Sequence, residues 1–472
     1  MLSYQDFLKV KETNDINRIC DFIITAINQH ISSPMYKVAE DATLYDKQQN
    51  STIMNYTRYI YNSVGIKNID PISSNNKMCS NIYHRLNTQR CLYSLGNGVS
   101  FTNDKVKALL GKNFDNALKD GAYKSLIQGL SFGFWDFDKL TVFSFLEFVP
   151  LWDEETSDLR GGIRFWRIDD KKPLFVRLFE EDGVTKFIQE NGEKMKIQEP
   201  KKGFIKIVKS TDATGIEGIE FKNYKNFPII PLWANSLHQS TLVGTKGLID
   251  AYDLVRSGYA NDLEDCAEIY WIVNNASGMD STDLARFRSK LKLNHVATVD
   301  DENSSVVPYT QDIPTTARIQ FLELIKQSIY EDFGGLDVHT IQASSTNDHI
   351  EAAYQPLDEE ADDFELQIIK FIHNLLALLD IEDDPIFKRN RISNQKEQTE
   401  MVLSASEYLD DETVLTKLPF ISVDEVTEIL KKKDKQDELK FNSETDTNDL
   451  NNNEPEINDQ NAEEEEEGKI NG

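Results

Sequence analysis

The sequence is poor in residues that build reactive or cross-linked proteins. Among 472 residues there are four cysteines (Cys20, Cys79, Cys91 and Cys266), with no CxxC spacing. That excludes a disulfide scaffold or zinc ribbon and reads as reduced thiols in a cytosolic setting. The seven histidines include no HExxH, and none stands at metal spacing from a cysteine. There is no GxxxxGK[ST] to cradle phosphates and no GxSxG elbow. Gly96-Asn97-Gly98 lacks the third glycine of a dinucleotide site and predicts a turn. No catalytic site, cofactor site or metal site is expected.

Basic residues are also scarce. With 51 Lys+Arg against 80 Asp+Glu, the net charge is −29. A protein that grips nucleic acid by neutralising phosphates needs the opposite balance, although one that handles nucleic acid without holding it does not. No run approaches the ~20 apolar residues of a membrane span. The longest, Ile368 to Leu379, contains Lys370, His373 and Asn374 and predicts an amphipathic helix. The N-terminal MLSYQDFLKVKETNDINRIC is polar and mixed in charge, without the pattern of a secretory signal.

What is present suits a folded α+β protein: 39% hydrophobic and 28% charged residues, in a chain long enough for two to four domains of ~150 residues. Leu2 to about Leu118 reads as mainly helical. Phe7 to Gln29, for example, has apolar residues at Phe7, Ile16, Ile19, Phe22, Ile23 and Ile27. From Leu130 the pattern alternates, through Phe132, Phe134, Phe143, Phe145 and Phe148. The runs IRFWRID, LFVRLF, FIKIV and FPIIPLW follow, separated by polar turns as in antiparallel sheet.

Beyond Pro231 helices return. Leu242 to Glu268 carries apolar residues in steps of three and four, a rod of roughly 40 Å at ~1.5 Å per residue. A short module follows: a strand at Ile269–Asn275, a helix at Ser281–Lys292, and strands at HVATV and SSVVPYT. Its helix bears Arg286, Arg288, Lys290 and Lys292, which suits either a solvated face or contact with an acidic partner or DNA phosphates. A second helix spans Thr315 to Phe333, with Pro314 at its start and Gly334-Gly335 at its stop. The two helices and their insert form a hairpin of rods with a folded tip.

Leu336 to Pro356 is weakly patterned, and Pro356 is expected to break or kink any helix crossing it. Asp358 to Asp380 predicts a further amphipathic helix, followed by a strand or turn at IFKRNRI. Two shorter helices, Asn394 to Glu407 and Val423 to Lys433, are joined by YLDDETVLTKLPFIS. The carboxylate pairs Asp362-Asp363 and Asp383-Asp384 read as solvated helix ends. Ser443 to Gly472 holds eleven Asp/Glu against one Lys, cannot bury enough surface to offset its ordering entropy, and is expected to be disordered.

Three stretches resemble the portal proteins of tailed bacteriophages, in the family typified by portals of siphophages of Gram-positive hosts. They are Phe132–Asp153 (FGFWDFDKLTVFSFLEFVPLWD), Phe227–Val273 with its LIDAYDLVRSGYAND, and Arg389–Leu430 (RNRISNQKEQTEMVLSASEYLDDETVLTKLPFISVDEVTEIL). They imply coverage from about residue 20 to 433. One departure is that Ala343 to His349 has no glycine where family members often carry one.

The resemblance implies a portal fold: a wing at 1–241, stem helices at 242–268 and 314–335, and a small α/β clip at 269–313. It also implies a tunnel-loop region at 336–357, a long wing helix at 358–383, a helical crown at 384–433 and an acidic tail at 434–472. It implies a ring of about twelve copies at one capsid vertex. Double-stranded DNA would enter and leave through that ring, in a virion component assembled in the host cytoplasm. Implied partners are the terminase ATPase, a head-completion adaptor, and scaffolding and major capsid proteins, with no membrane. On that reading Ser344, Ser345, Thr346, Asn347, Asp348 and His349 are candidate DNA contacts. Arg286, Arg288, Lys290 and Lys292 are candidate docking or DNA-facing residues of the clip. Asp250, Asp253, Asp262, Glu264 and Asp265 are candidates for a bore or subunit interface. Two rivals are an acidic helical scaffold dimerising through its rods and a nuclease using Asp362 and Asp363.

Overall fold

The computed structural model describes residues 2–61, 64–71, 73–210, 217–266, 270–274, 280–294, 305–309, 315–340, 346–391, 395–406, 408–418, 426 and 429–432. The predicted strand at 295–299 and the acidic tail lie outside them. Contacts divide the chain into two units: 1–340 with 353–391, and 341–352 with 392–472.

The first unit opens with α1 (Tyr4–Lys11), α2 (Ile16–Ser32), α3 (Pro34–Asp46) and α4 (Ser51–Met54). The single run expected from Phe7 to Gln29 is thus two helices. Asp15 takes the N-cap, accepting from the amide of Asn17 at 2.9 Å, and Asn14 adopts φ 50°. Local side-chain bonding at such a position competes with helix continuation. Ser33 caps α3, whose first residue is Pro34. A two-stranded arm, β1 (Tyr59–Tyr61) and β2 (Lys67–Ile69), interrupts the helical region. Next come α5 (Ile82–Leu95), β3 (Val99–Phe101), α6 (Asp104–Leu110) and α7 (Phe114–Gln128). Gly96 to Gly98 forms the expected turn, with Gly98 at φ +74°.

The β region runs from β4 (Leu130–Asp136) and β5 (Lys139–Ser144) to β6 (Phe148–Trp152), β7 (Leu159–Trp166), β8 (Leu174–Glu180), β9 (Gly183–Gln189) and β10 (Lys196–Lys202). It ends with β11 (Ile205–Ser210), β12 (Glu217–Lys222) and β13 (Ile229–Trp233). Strands β6 to β10 form one antiparallel meander, while β13, β4 and β5 make a second sheet. Between the sheets lies an aromatic core in which Phe132, Phe143, Phe145, Phe148 and Phe179 are fully buried. Helices α1 and α2 cover the meander through Phe7, Phe22, Ile23 and Ile27.

Helices α8 (Lys246–Cys266) and α10 (Thr315–Phe333) flank β14 (Tyr270–Asn274), α9 (Ser281–Asn294) and β15 (Ser305–Tyr309). β14 and β15 pair antiparallel, Tyr270 opposite Tyr309. Ile249 packs in one cluster with Ile325, Ile329 and Phe333, while Asp262 ion-pairs with Arg318. The two helices therefore run antiparallel, and Gly334 ends α10 at φ +64°.

The next helix, α11, spans Asn347–Leu378 and includes Pro356. Pro356 neither ends it nor precedes its start, so the helix opens earlier than the expected Asp358. Pro356 is exposed, where water can hydrate the carbonyl its missing amide leaves unbonded. β16 (Pro385–Phe387) returns to pair with β3. In the second unit, α12 (Gln395–Ser404) is as expected, but 411–417, read as part of a connection, is helix α13 (Asp411–Lys417). Asp410 caps it, accepting from the amide of Thr413 at 3.1 Å.

Candidate functional site

Helix α8 carries the predicted acidic positions. Asp250, Asp253, Ser257, Asn261 and Glu264 recur at steps of three and four and share one helix face. That face is covered by the chain's own segment 76–80, which runs along it in the opposite direction. The amide of Ser80 donates to Asp253 Oδ1 at 2.9 Å, that of Met78 to Ser257 Oγ at 2.9 Å, and that of Asn76 to Asn261 Oδ1 at 2.6 Å. Asn76 Nδ2 donates to Glu264 Oε2 at 2.7 Å. An extended backbone presents donors to one side every second residue, and a helix presents one face every three to four. The two spacings match along this strap.

Asp253 is fully buried and also accepts from Asn50 Nδ2. Burial pushes its carboxyl above the usual carboxylate range, although the bonds from Asn50 and Ser80 oppose the shift. Its assignment to a bore or subunit interface is corrected: an intramolecular contact consumes it. Asp250 is half-buried, accepting from Thr52 Oγ1 at 2.8 Å, from Tyr45 Oη and from Lys246 Nζ at 3.2 Å. Burial pulls the Lys246 ammonium down, but Tyr45, Asp250 and Asp41 outweigh it and hold its pKa above the ordinary lysine range. Asp262 faces α10 and pairs with Arg318, whose guanidinium lies 5.8 Å from the Tyr259 ring. Glu264 is exposed beyond its bond to Asn76. The side chain of Asp265 lies outside the described residues.

On α9, Arg286 is exposed and stands 3.8 Å from Asp283. The helix is capped by Asp280, which accepts from the amides of Thr282 and Asp283, both at 2.8 Å. The backbone of Arg288, Lys290 and Lys292 continues this helix, and their side chains lie outside the described residues. Ser344 and Ser345 also lie outside. Thr346, Asp348 and His349 are exposed, with Asn347 and the latter two in the first turn of α11.

The hairpin leaves large apolar side chains on its surface: Leu254 and Leu263 on α8, and Ile319, Phe321 and Leu324 on α10 are all more than 40% exposed. The carboxylates of the nuclease rival are otherwise engaged. Asp362 accepts from Arg389, which also meets Asp358 at 2.8 Å and Glu365 at 2.9 Å. Asp363 accepts from the amide of Ser236 at 2.9 Å and from Gln367 at 3.2 Å. Among the described residues no three His, Cys, Asp or Glu side chains gather as a metal site requires, and no helix is long and apolar enough to cross a membrane.

These features define an α+β protein with an antiparallel helical hairpin, in which the described carboxylates of α8 and α11 hold segments of the chain together. The chain belongs to the phage portal protein family, SPP1 Gp6-like, which matches residues 41–439. Portal proteins are structural, non-enzymatic components of the phage head. The chain is 23% identical over 442 residues to a portal protein of Bacillus phage SPP1, covering 84% of this chain and 82% of that one. It is 28% identical over 211 residues to a portal protein of Clostridium phage phiCD119, spanning 43% of this chain and under half, 46%, of that relative. Among solved structures, a chain in the neck of a native GTA particle, computed with C12 symmetry, matches at a TM-score of 0.41 and 9% identity. That match covers 71% of this chain and 89% of the other. A chain in the neck of an empty GTA particle, computed with C6 symmetry, matches at 0.44 and 8% identity, covering 72% and 90%.

Sequence reasoning missed the strap at 76–80 and its donors. The acidic face of α8 was visible, but its partner lies more than 170 residues away in the chain. No local pattern announces such a pairing.

Proposed function

We propose that the chain closes into a ring of about twelve copies at one capsid vertex, the passage for double-stranded DNA during packaging and ejection. The observation that carries this reading is the helical hairpin. Its inner seam is filled by Ile249, Ile325, Ile329 and Phe333, yet Leu254, Leu263, Ile319, Phe321 and Leu324 stay in water. An exposed apolar face on a packed rod is the kind of surface that a neighbouring copy covers. Family membership supports the same reading.

On this reading α8 and α10 are the stem, and the β14–α9–β15 insert is the clip that docks first the terminase motor and then a head-completion adaptor. Arg286, with Arg288, Lys290 and Lys292 on the same helix, supplies the positive charge of that docking surface. Thr346, Asp348 and His349 meet the moving duplex at the start of α11. Short polar and acidic groups there touch phosphates without building a deep binding well, because affinity for DNA grows with the number of phosphates neutralised. Since Asp250, Asp253 and Asp262 are internally paired, any acidity of the bore rests on other residues. The energy for packaging comes from a separate ATPase.

The test is a double substitution, Phe321→Glu with Leu324→Glu, compared with wild type by sedimentation velocity and far-UV circular dichroism. Loss of the ring species with retained helix content supports the reading. A ring that survives both charges refutes this face as its interface.

A further inference from the structure

An acid-poor part of this acidic chain carries a cluster of exposed apolar side chains. From Lys47 to Asn103 there are six Lys and Arg against one acid, Asp70, while the remaining residues hold 45 Lys and Arg against 79 Asp and Glu. Within this net +5 segment lies the β1–β2 arm, whose six strand residues are all exposed. Tyr61 and Ile69 are 69% and 67% exposed, and Tyr59 and Ile60 in β1 exceed 40%, as do Met54 and Tyr56 ahead of it. Among the described residues β1 and β2 form a sheet of two strands, an arrangement that is marginal in water and gains stability from a surface it meets.

The root of the arm, by contrast, is firmly held. Lys77 Nζ donates to the carbonyl of Met54, and Arg58 donates to that of Ser74. The strap then fixes 76–80 to α8 through Asp253, Ser257 and Asn261. A rigid root with an exposed apolar end is built to reach away from its own chain. From Arg58 to the turn is about six residues, or ~20 Å at ~3.3 Å each, twice the diameter of a helix.

Resting on the ring reading, we propose that this arm clasps the helical hairpin of the neighbouring copy. The occupant is a second copy of this chain because both halves of the match are present in it. The arm offers tyrosine and isoleucine with Lys67, whose ammonium lies 3.7 Å from the Tyr59 ring centroid. The hairpin offers Ile319, Phe321 and Leu324 beside the exposed Glu323. The aliphatic content favours a protein surface over a nucleic acid, and the charge difference between +5 and −34 favours this chain's own acidic surface. The arm and the strap then act together: the strap anchors each arm to its own α8, and the arm passes that anchorage to the next subunit.

The experiment places the photoreactive residue benzoylphenylalanine at position 61 of the full chain. The oligomer is isolated by sedimentation, irradiated, and separated on denaturing gels. A band at twice the chain mass, with cross-linked peptides from Thr315–Phe333, is the expected result. An intact ring giving only monomer bands, or cross-links elsewhere, overturns the arm proposal and leaves the ring reading standing. Failure to recover any large oligomer, with unlabelled chain as well, refutes the ring reading itself. A second variant, Tyr61→Glu with Ile69→Glu, should raise the protomer concentration for half-assembly at least about tenfold. Unchanged assembly would also overturn the proposal.

Discussion

The backbone amide of Ser80 and the carboxylate of Asp253 meet at 2.9 Å inside the protein, joining residues 173 positions apart. This contact is one end of the strap that covers the polar face of α8, and it turns an acidic helix into a scaffold for the chain's own N-terminal region. Replacing Asp253 by Ala leaves the Ser80 amide buried without its acceptor and leaves Asn50 Nδ2 only the long contact to the Ser80 carbonyl at 3.5 Å. The expected loss is about 2–3 kcal/mol, read by urea denaturation, with faster proteolysis near Met78. Unaltered stability and cleavage would show that the strap is held by other means.

The same carboxyl has a pH signature. Its folded pKa is raised above the unfolded value of 3.8 by burial. A raised acid binds its proton more tightly in the folded state, so its stabilising contribution is present below pH 3.8 and lost as pH rises through the folded pKa. The stability of wild type minus that of Asp253→Asn should therefore increase on acidification from neutral pH towards 4. A difference that is flat, or that falls, contradicts the assignment.

Arg389 and Arg391 fasten the segment after α11 back onto that helix. Arg391 meets both oxygens of Asp358 at 2.5 Å and donates to Tyr93 Oη at 2.7 Å. Burial pushes the Asp358 carboxyl up, but hydrogen bonds from Tyr93 and Arg391 outweigh it and hold its pKa below 3.8. A depressed acid contributes stability above the unfolded pKa and loses it as pH falls through the folded one. Arg389→Ala with Arg391→Ala should cost about 1–3 kcal/mol at neutral pH, since the cluster is partly exposed. Wild type should lose its advantage below pH 3.8, measured by denaturation at each pH.

Gly162 lies against the ring of Phe148, itself fully buried. An added Cβ would overlap that ring, with further ring atoms at 2.7 and 2.8 Å. Gly162→Ala should destabilise the meander by the upper end of about 1–3 kcal/mol, read as a lower Tm. Phe148→Leu in the same chain should recover part of that loss, by making room for the methyl group.

Charge reversal at Arg286 and Arg288 should reduce motor-dependent DNA packaging in an in vitro assay while leaving sedimentation of the oligomer unchanged. Wild-type packaging by the variant would remove α9 from the docking surface.

Much of the helical layout was legible because its signals are local. Pro314 and Gly334 bracket α10 at Thr315–Phe333, and the three-four spacing of apolar residues marks α8 to within a few residues. The Phe-rich alternation after Leu130 announced sheet, but β10 was overlooked because its sequence, KIQEPKK, is polar and mostly exposed. The β1–β2 arm is hidden for a different reason: each strand has three residues, too few to set an alternation. Asp253 and Asp262 were recognised as chemistry-bearing without their roles, since one partner stands at Ser80 and the other at Arg318. α11 opens ahead of Pro356 because a solvent-exposed proline deep in a long helix is tolerable where water meets the freed carbonyl.

The most direct measurement of the central claim is negative-stain imaging of the purified full-length chain, joined to its mass by sedimentation velocity. The account predicts radially symmetric particles with a central hole and a mass of roughly 650 kDa, twelve copies of 54.1 kDa. Monomers or dimers alone, persisting when the chain is co-expressed with its capsid proteins, would contradict it.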